Sequence, residues 1–279
     1  MLIGIVGLGL IGGSFAKAYT KAGHRVLALD TDDSVLRYAM MSDIIEGELT
    51  VDSLKECDLI LICTYANAAI DFMEKNGRFI GSKPVVIDCC GIKRNVVERG
   101  MALAAEYGFT YAGGHPMAGT QYSGIKYSRA DMYDGAPMII IPPDYNDIAF
   151  FDRIKKMLLP VGFAGITVTS ADKHDEMIAY TSQLAHVVSN AYIKSPTVRE
   201  HKGMSAGSYK DMTRVAWLNP EMWTELCMKN RDNLIKEIDI LFDNLKLYKT
   251  ALENEDEDML KELFLEGKIM KEKIDSDME

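Results

Sequence analysis

The sequence predicts an α/β fold in which a doubly wound parallel sheet is followed by an all-helical C-terminal domain. Three observations predict it. Short, nearly continuous apolar runs alternate with helical stretches as far as residue 169, the pattern of a parallel sheet covered on both faces. A glycine-rich loop stands between the first apolar run and the first helix. Beyond Val168-Thr169 no strand-like run follows, and the apolar period becomes helical. The 279 residues therefore divide into residues 1–167 and 168–279, two units of ordinary domain size.

Residues 2–6 (LIGIV) form the first expected strand and 12–23 the first helix. HRVLALD (24–30) is a second strand ending on Asp30, followed by a helix from Asp32 to Met41. Strand character returns at 58–63 and 84–89, then a helix over 92–107 and strands over 109–113 and 137–141. A helix over 146–159 and a strand over 163–169 close the first domain. In the second domain Leu234, Ile238, Leu241, Leu245 and Tyr248 recur at spacings of four and three, an apolar seam along one long helix. Asn219-Pro220 suits the start of that helix, with Asn as cap and Pro in the first turn.

Composition narrows the function classes. Hydrophobic residues at 48% and charged residues at 26% exclude a disordered chain. The net charge of −10 argues against general nucleic-acid or anionic-membrane binding. Much of that acidity lies in residues 251–279, with eleven acidic against four basic residues. Five cysteines, with no CxxC and no Cys/His cluster at zinc-ligand spacing, point to a reduced, cytoplasmic protein without a metal site. The N-terminal MLIGIVGLGLIGGSFA has no basic residue before it and is broken by five glycines, so it reads as strand and loop, not as a targeting segment. No apolar run reaches the roughly 20 residues of a membrane span.

Gly7-Leu8-Gly9-Leu10-Ile11-Gly12 is a G-x-G-x-x-G loop opening a helix, and Asp30 ends the next strand 23 residues after Gly7. That is the Rossmann-type dinucleotide fingerprint. Gly7 permits the turn, Gly9 lets backbone approach a pyrophosphate, and Gly12 allows close helix–strand packing. Leu10 and Ile11 complete the loop, where helix N-terminal amides meet the phosphates. A carboxylate at position 30 accepts ribose hydroxyls and repels a 2′-phosphate, and no Arg or Lys follows it before Arg37. NAD is therefore expected over NADP.

A hydride transfer also needs a group to take the substrate's proton and another to hold its charge. Of the five histidines, His24 and His201 fall in surface turns. His174, in ADKHDE at a helix start, is expected to be exposed, and His186 lies in a mostly apolar helix. His115 stands apart: it follows Tyr111-Ala112-Gly113-Gly114 at the end of a strand and precedes Pro116, where open α/β sheets bind ligands. An unperturbed histidine there would titrate near pH 6.5. Arg214, with Lys210 four residues earlier on the same helix face, suits a substrate with more than one carboxylate, although Asp211 can neutralise part of that charge.

Six strings taken together, GLGLIGGS (7–14), DCCGIK (88–93), GGHPMAGTQYSG (113–124), the SQLAH region (182–186), SYKDMTR (208–214) and NPEMW (219–223), resemble the prephenate dehydrogenases of tyrosine biosynthesis. The resemblance implies oxidative decarboxylation of prephenate to 4-hydroxyphenylpyruvate with NAD as oxidant, and a homodimer built through the helical domain. It implies His115 as the catalytic base and Arg214 as the carboxylate-binding arginine. Lys210, Trp223, Thr120, Ser182 and His186 match other positions that line or gate the substrate cleft. There are departures. Gly91 stands where many relatives carry a serine whose hydroxyl assists the histidine, Gln121 where some carry glutamate, and Gln183 where a histidine is usual. Arogenate dehydrogenase, the same chemistry on an amino-acid side chain, is equally compatible with these strings. A β-hydroxyacid dehydrogenase would need a catalytic lysine in glycine-rich surroundings, for which there is no clear match. A non-catalytic NAD-sensing protein would have no reason to keep His115 together with Arg214.

Overall fold

The computed structural model describes residues 1–120 and 122–278, so Gln121 lies outside the described residues. Eight strands form one sheet: β1 (Leu2–Val6), β2 (Arg25–Leu29), β3 (Gly47–Glu48), β4 (Leu59–Ile62), β5 (Val85–Asp88), β6 (Thr110–Pro116), β7 (Pro137–Ile141) and β8 (Gly165–Val168). Their order is β3-β2-β1-β4-β5-β6-β7-β8. The chain thus leaves β1 toward one edge and returns to β4 on the other side, which opens a crevice at the carboxyl ends of β1 and β4. Alternate residues of each strand feed two cores. Ile3, Ile5, Leu59 and Leu61 pack with Phe15 and Tyr19 on one face, while Ile60, Ile62 and Val86 pack with Phe72, Met73 and Leu103 on the other.

The sheet departs from the expected all-parallel pattern at one place. β7 runs antiparallel to β6, with His115 opposite Ile139. Among the described residues the connection between them contains one 3-10 turn, Ile125–Tyr127, and no crossover helix, and parallel strands are usually joined by such a helix. β6 also runs three residues further than expected. Its extension uses Gly113 and Gly114: a Cβ at Gly114 would lie 2.4 Å from Ile87 and 2.6 Å from the Asp88 carbonyl. The glycines let β6 hug β5 and carry His115 into the strand itself.

Helices α1 (Leu10–Lys21), α2 (Asp33–Met41), α3 (Val51–Leu54), α4 (Ala66–Ile80), α5 (Arg94–Tyr107) and α6 (Ile148–Leu158) belong to the sheet-bearing part. After β8 the chain is helical: α7 (Ala171–Ile178), α8 (Ala185–Tyr192), α9 (Gly207–Thr213), α10 (Pro220–Lys229), α11 (Arg231–Glu253) and α12 (Glu257–Met278). A π-helical turn, Ala179–Leu184, joins α7 to α8 without interrupting the rod. Asn219 caps α10 as expected, its side chain accepting the Met222 amide at 3.1 Å. The helix it starts is not the one that bears the seam, however. The chain breaks at Asn230, which is fully buried and donates to the Asp175 carbonyl at 2.8 Å and the Gln183 side chain at 2.9 Å. Satisfying that buried amide outweighs continuing one straight helix.

The seam on α11 is covered partly from within. Leu234 is buried, and Tyr248 donates to the Leu263 carbonyl of α12 at 3.2 Å with its ring against Phe264. Leu245 stays exposed, as do Ile235, Phe242 and Leu252 on α11 and Leu265, Ile269 and Met270 on α12. Among the described residues no helix is long and apolar enough to cross a membrane.

Candidate active site

The glycine loop closes the crevice floor. Gly7 adopts φ +91°, a left-handed conformation that favours glycine, and its amide donates to the Leu29 carbonyl at 2.7 Å. A Cβ on Gly12 would meet the Gly7 carbonyl oxygen at 1.8 Å, so no side chain fits there. At Gly9, by contrast, nothing lies within 4 Å of such a Cβ among the described residues. Gly9 also caps α1 without a side-chain hydrogen bond, and the first turn holds no acidic residue. Leu10 and Ile11 are half-buried in that turn, and the Ile11 carbonyl accepts Tyr133 Oη at 2.7 Å. The result is a set of uncapped helix amides at the positive end of a dipole, facing open space above Gly9. Asp30 stands beside it and accepts the Leu8 amide at 2.6 Å and the Asp32 amide at 3.0 Å. One carboxylate lone pair on each oxygen stays available to a ribose. The donor set fits a dinucleotide.

His115 is half-buried at the end of β6. Its Nδ1 lies 2.8 Å from His174 Nε2, and His174 Nδ1 lies 2.7 Å from Asp175 Oδ1. The expectation that His174 is exposed is therefore wrong: His174 is 2% exposed and Asp175 1%. α7 packs on the N-terminus of α5, where Asp175 accepts the Lys93 amide at 2.7 Å and the Arg94 amide at 2.9 Å. Asp175 thus caps α5 from the helical part of the chain. Arg94 completes the junction with a two-pronged contact to Asp232 and a 3.0 Å bond to Asn230. A His-Asp step at a helix start is the ordinary pattern of a solvated first turn, so in the sequence the pair carries no signal beyond its adjacency.

A second buried cluster lies beneath His115. Lys93 and Asp88 are fully buried and ion-paired, Lys93 Nζ donates to the Gly114 carbonyl at 2.6 Å, and Tyr111 Oη donates to Asp88 Oδ2 at 2.7 Å. Burial, then His174, then the Lys93 ammonium hold the His115 pKa well below the usual histidine range. Burial also lowers His174, against the pull of Asp175. Burial alone would raise Asp175, but hydrogen bonds from His174 and the Arg94 and Lys93 amides bring it below the ordinary carboxylate value. A neutral His115 and an ionised Asp175 follow. On its other side His115 faces Gly91, whose hypothetical Cβ would sit 4.0 Å from Nε2 and 3.3 Å from Leu226 of α10.

The remaining expected residues gather around α10. Trp223, three residues before Leu226, stacks on His186 at 3.9 Å between ring centroids, and His186 Nδ1 donates to the Ser182 carbonyl at 2.9 Å. α8 packs against the 3-10 turn Arg214–Ala216, which carries Arg214, with Lys210 on α9 just before it. Arg214 and Lys210 are both exposed, and neither has an ion-pair partner among the described residues. Thr120 is exposed in the segment after β6 and accepts the Tyr122 amide at 3.3 Å. Gln183 does not face the cleft: it is buried and donates to the Leu226 carbonyl at 3.1 Å, locking the π-helical turn to α10. Among the described residues no group of His, Cys, Asp and Glu could hold a metal ion.

Known proteins resemble the chain over nearly its whole length. The family model for the prephenate dehydrogenase nucleotide-binding domain matches residues 15–166, and the model for the prephenate dehydrogenase dimerization domain matches residues 170–266. A prephenate dehydrogenase of Bacillus subtilis is 26% identical, covering 95% of this chain and 73% of the relative. A cyclohexadienyl dehydrogenase of Zymomonas mobilis is 28% identical, covering 95% and 93%. Among solved structures, prephenate dehydrogenase from A. aeolicus in complex with hydroxyphenyl propionate and NAD+ superposes with a TM-score of 0.82 at 27% identity, over 98% of each chain.

Proposed function

The chain belongs to the prephenate dehydrogenase family, and from that premise we propose that it oxidatively decarboxylates prephenate to 4-hydroxyphenylpyruvate with NAD. Residues 1–167 carry the cofactor and residues 168–279 the substrate cleft and the dimer contact. The observation that carries the reading is the neutral His115 at the carboxyl end of β6, held at Nδ1 by His174 and with Nε2 toward Gly91.

Gly7, Gly9, Leu10, Ile11 and Gly12 receive the pyrophosphate on the amides of α1, and Asp30 takes the adenosine ribose hydroxyls and disfavours a 2′-phosphate. Bound there, NAD accepts the hydride. His115 accepts the ring hydroxyl proton at Nε2 as the hydride leaves the same carbon, giving a ketone conjugated with the ring. The bond to the ring carboxylate then breaks, CO2 departs, and its electron pair aromatises the ring toward the oxygen. His115 returns the proton to that oxygen, so no proton is gained or lost overall. Arg214 and Lys210 hold the substrate carboxylates by charge-assisted bonds, while Thr120, Ser182, His186 and Trp223 line the cleft and orient the ring.

The exposed apolar residues of α11 and α12 support a homodimer through the helical domain. Five free cysteines support a cytoplasmic setting. The test is a steady-state assay with NAD and either prephenate or arogenate, read as reduced nicotinamide. Turnover of prephenate supports the reading, turnover of arogenate alone reassigns the side chain, and turnover of neither overturns it.

A further inference from the structure

We propose that His174 and Asp175 form a positioning dyad that fixes His115 in the Nδ1-protonated tautomer and so presents the Nε2 lone pair to the substrate hydroxyl. The proposal deepens the reading above and rests on it for the reaction, though not for the tautomer.

The assignment follows from donor and acceptor counting. An ionised carboxylate only accepts hydrogen bonds. Asp175 Oδ1 already takes the Lys93 amide at 2.7 Å, so its 2.7 Å contact with His174 Nδ1 requires the proton on that nitrogen. Neutral His174 then has a bare Nε2, and the 2.8 Å contact with His115 Nδ1 requires His115 to be the donor. The proton of His115 is therefore on Nδ1 and its lone pair on Nε2. No other assignment gives each of the three contacts one donor and one acceptor while both rings are neutral.

Burial makes the arrangement directional. His174 and Asp175 are 2% and 1% exposed, so water cannot substitute for either partner, and an unmet donor there would cost the full desolvation of that group. Asp175 is itself held by two amides at the N-terminus of α5, the positive end of that helix. On the far side of His115, Gly91 supplies no side chain to hold Nε2. Ring orientation therefore comes from the Nδ1 side. When Nε2 takes the hydroxyl proton, the new positive charge is met through His174 by Asp175. The other charged groups near the ring are Lys93 and Asp88, paired with each other beneath it, and Arg94, which pairs with Asp232 and whose Nε lies 3.4 Å from Asp175 Oδ2; toward Gly91, α10 contributes the apolar Leu226.

The experiment combines spectroscopy and kinetics on the full chain. Histidine 15N–1H correlation spectra of the wild type, with His115→Asn to assign the signal, read which nitrogen bears the proton and need no substrate. The expected result is protonated Nδ1 and bare Nε2 on His115; protonation on Nε2 overturns the proposal. His174→Leu removes the acceptor. We expect mixed tautomers and a kcat lower by roughly 10- to 10³-fold, a large part of a general base's contribution, with KM for prephenate and NAD affinity unchanged. His174→Gln keeps an acceptor oxygen at the reach of Nε2 and should restore most of that loss, which a role confined to packing would not predict. Wild-type kcat in His174→Leu overturns the proposal. If that variant fails to fold, the wild-type spectrum and the His174→Gln rates decide. Absence of prephenate turnover by the wild type would defeat the reaction reading while the tautomer stayed readable.

Discussion

His115 and Arg214 stand in opposite conditions. Around His115 every polar neighbour is buried and already bonded, and the chain from the ring to Asp175 closes on the backbone of α5. Arg214 sits exposed on a single 3-10 turn with no carboxylate beside it among the described residues. The surroundings of His115 are finished inside the chain; Arg214 presents its charge outward, where the proposed function places the substrate carboxylates. The difference separates two tasks. Proton handling needs preorganisation, which burial supplies, whereas recognition of a dianion needs cations whose charge has not been spent on internal partners.

The largest expected effect breaks the finished half. His115→Asn keeps a polar group of similar reach but cannot act as a base, and turnover should fall about 10²- to 10⁴-fold with NAD affinity intact. Only the neutral ring accepts the proton, and its pKa is held well below the ordinary value. The acid limb of the wild-type kcat profile should therefore lie below about pH 6.5, not at that pH as an unperturbed histidine would place it, and it should be missing from the residual activity of the variant. A wild-type limb at or above pH 6.5 would contradict the enclosed environment. A variant with near-normal turnover would move the base elsewhere, with His186 next in line.

The second prediction tests the open half. Arg214→Gln should raise KM for prephenate by about ten- to a hundredfold, the size of a hydrogen bond to a charged group, with a smaller change in kcat and none in NAD binding. An unchanged KM would show that the exposed arginine is solvated surface. The smallest effect concerns the cofactor. Asp30→Ala should narrow the preference for NAD over NADP by about one to two powers of ten, in keeping with loss of one charged contact, measured as the ratio of kcat/KM values. Equal efficiency with both cofactors in the unmutated protein would remove Asp30 from that role.

What could be read from the sequence follows the same divide. Runs such as DLILIC and PVVID declare buried parallel strands because both faces are apolar, and the glycine loop declares itself because its steric demands are local. His115 was legible from the glycines and proline around it. His174 was not, since its burial depends on α7 meeting α5 and on a partner 59 residues away. The direction of β7 was equally hidden: PMIII reads the same whichever way it runs. The break at Asn230 arises from two long-range hydrogen bonds that no helical period reports.

The π-helical turn between α7 and α8 has a consequence for how this chain can vary. Such a turn carries one residue more than an α-helix would over the same span, so it is a register device. His174 on one side is bound to His115, and His186 on the other is stacked on Trp223. Deleting one residue from 179–184 would relax the turn into ordinary α-helix over the same span and leave the two histidines close to their present relative orientation, whereas deleting one from the α-helical residues on either side would rotate them by about 100°. A one-residue change in length between the two histidines can be absorbed in the turn but not in the α-helical residues that flank it.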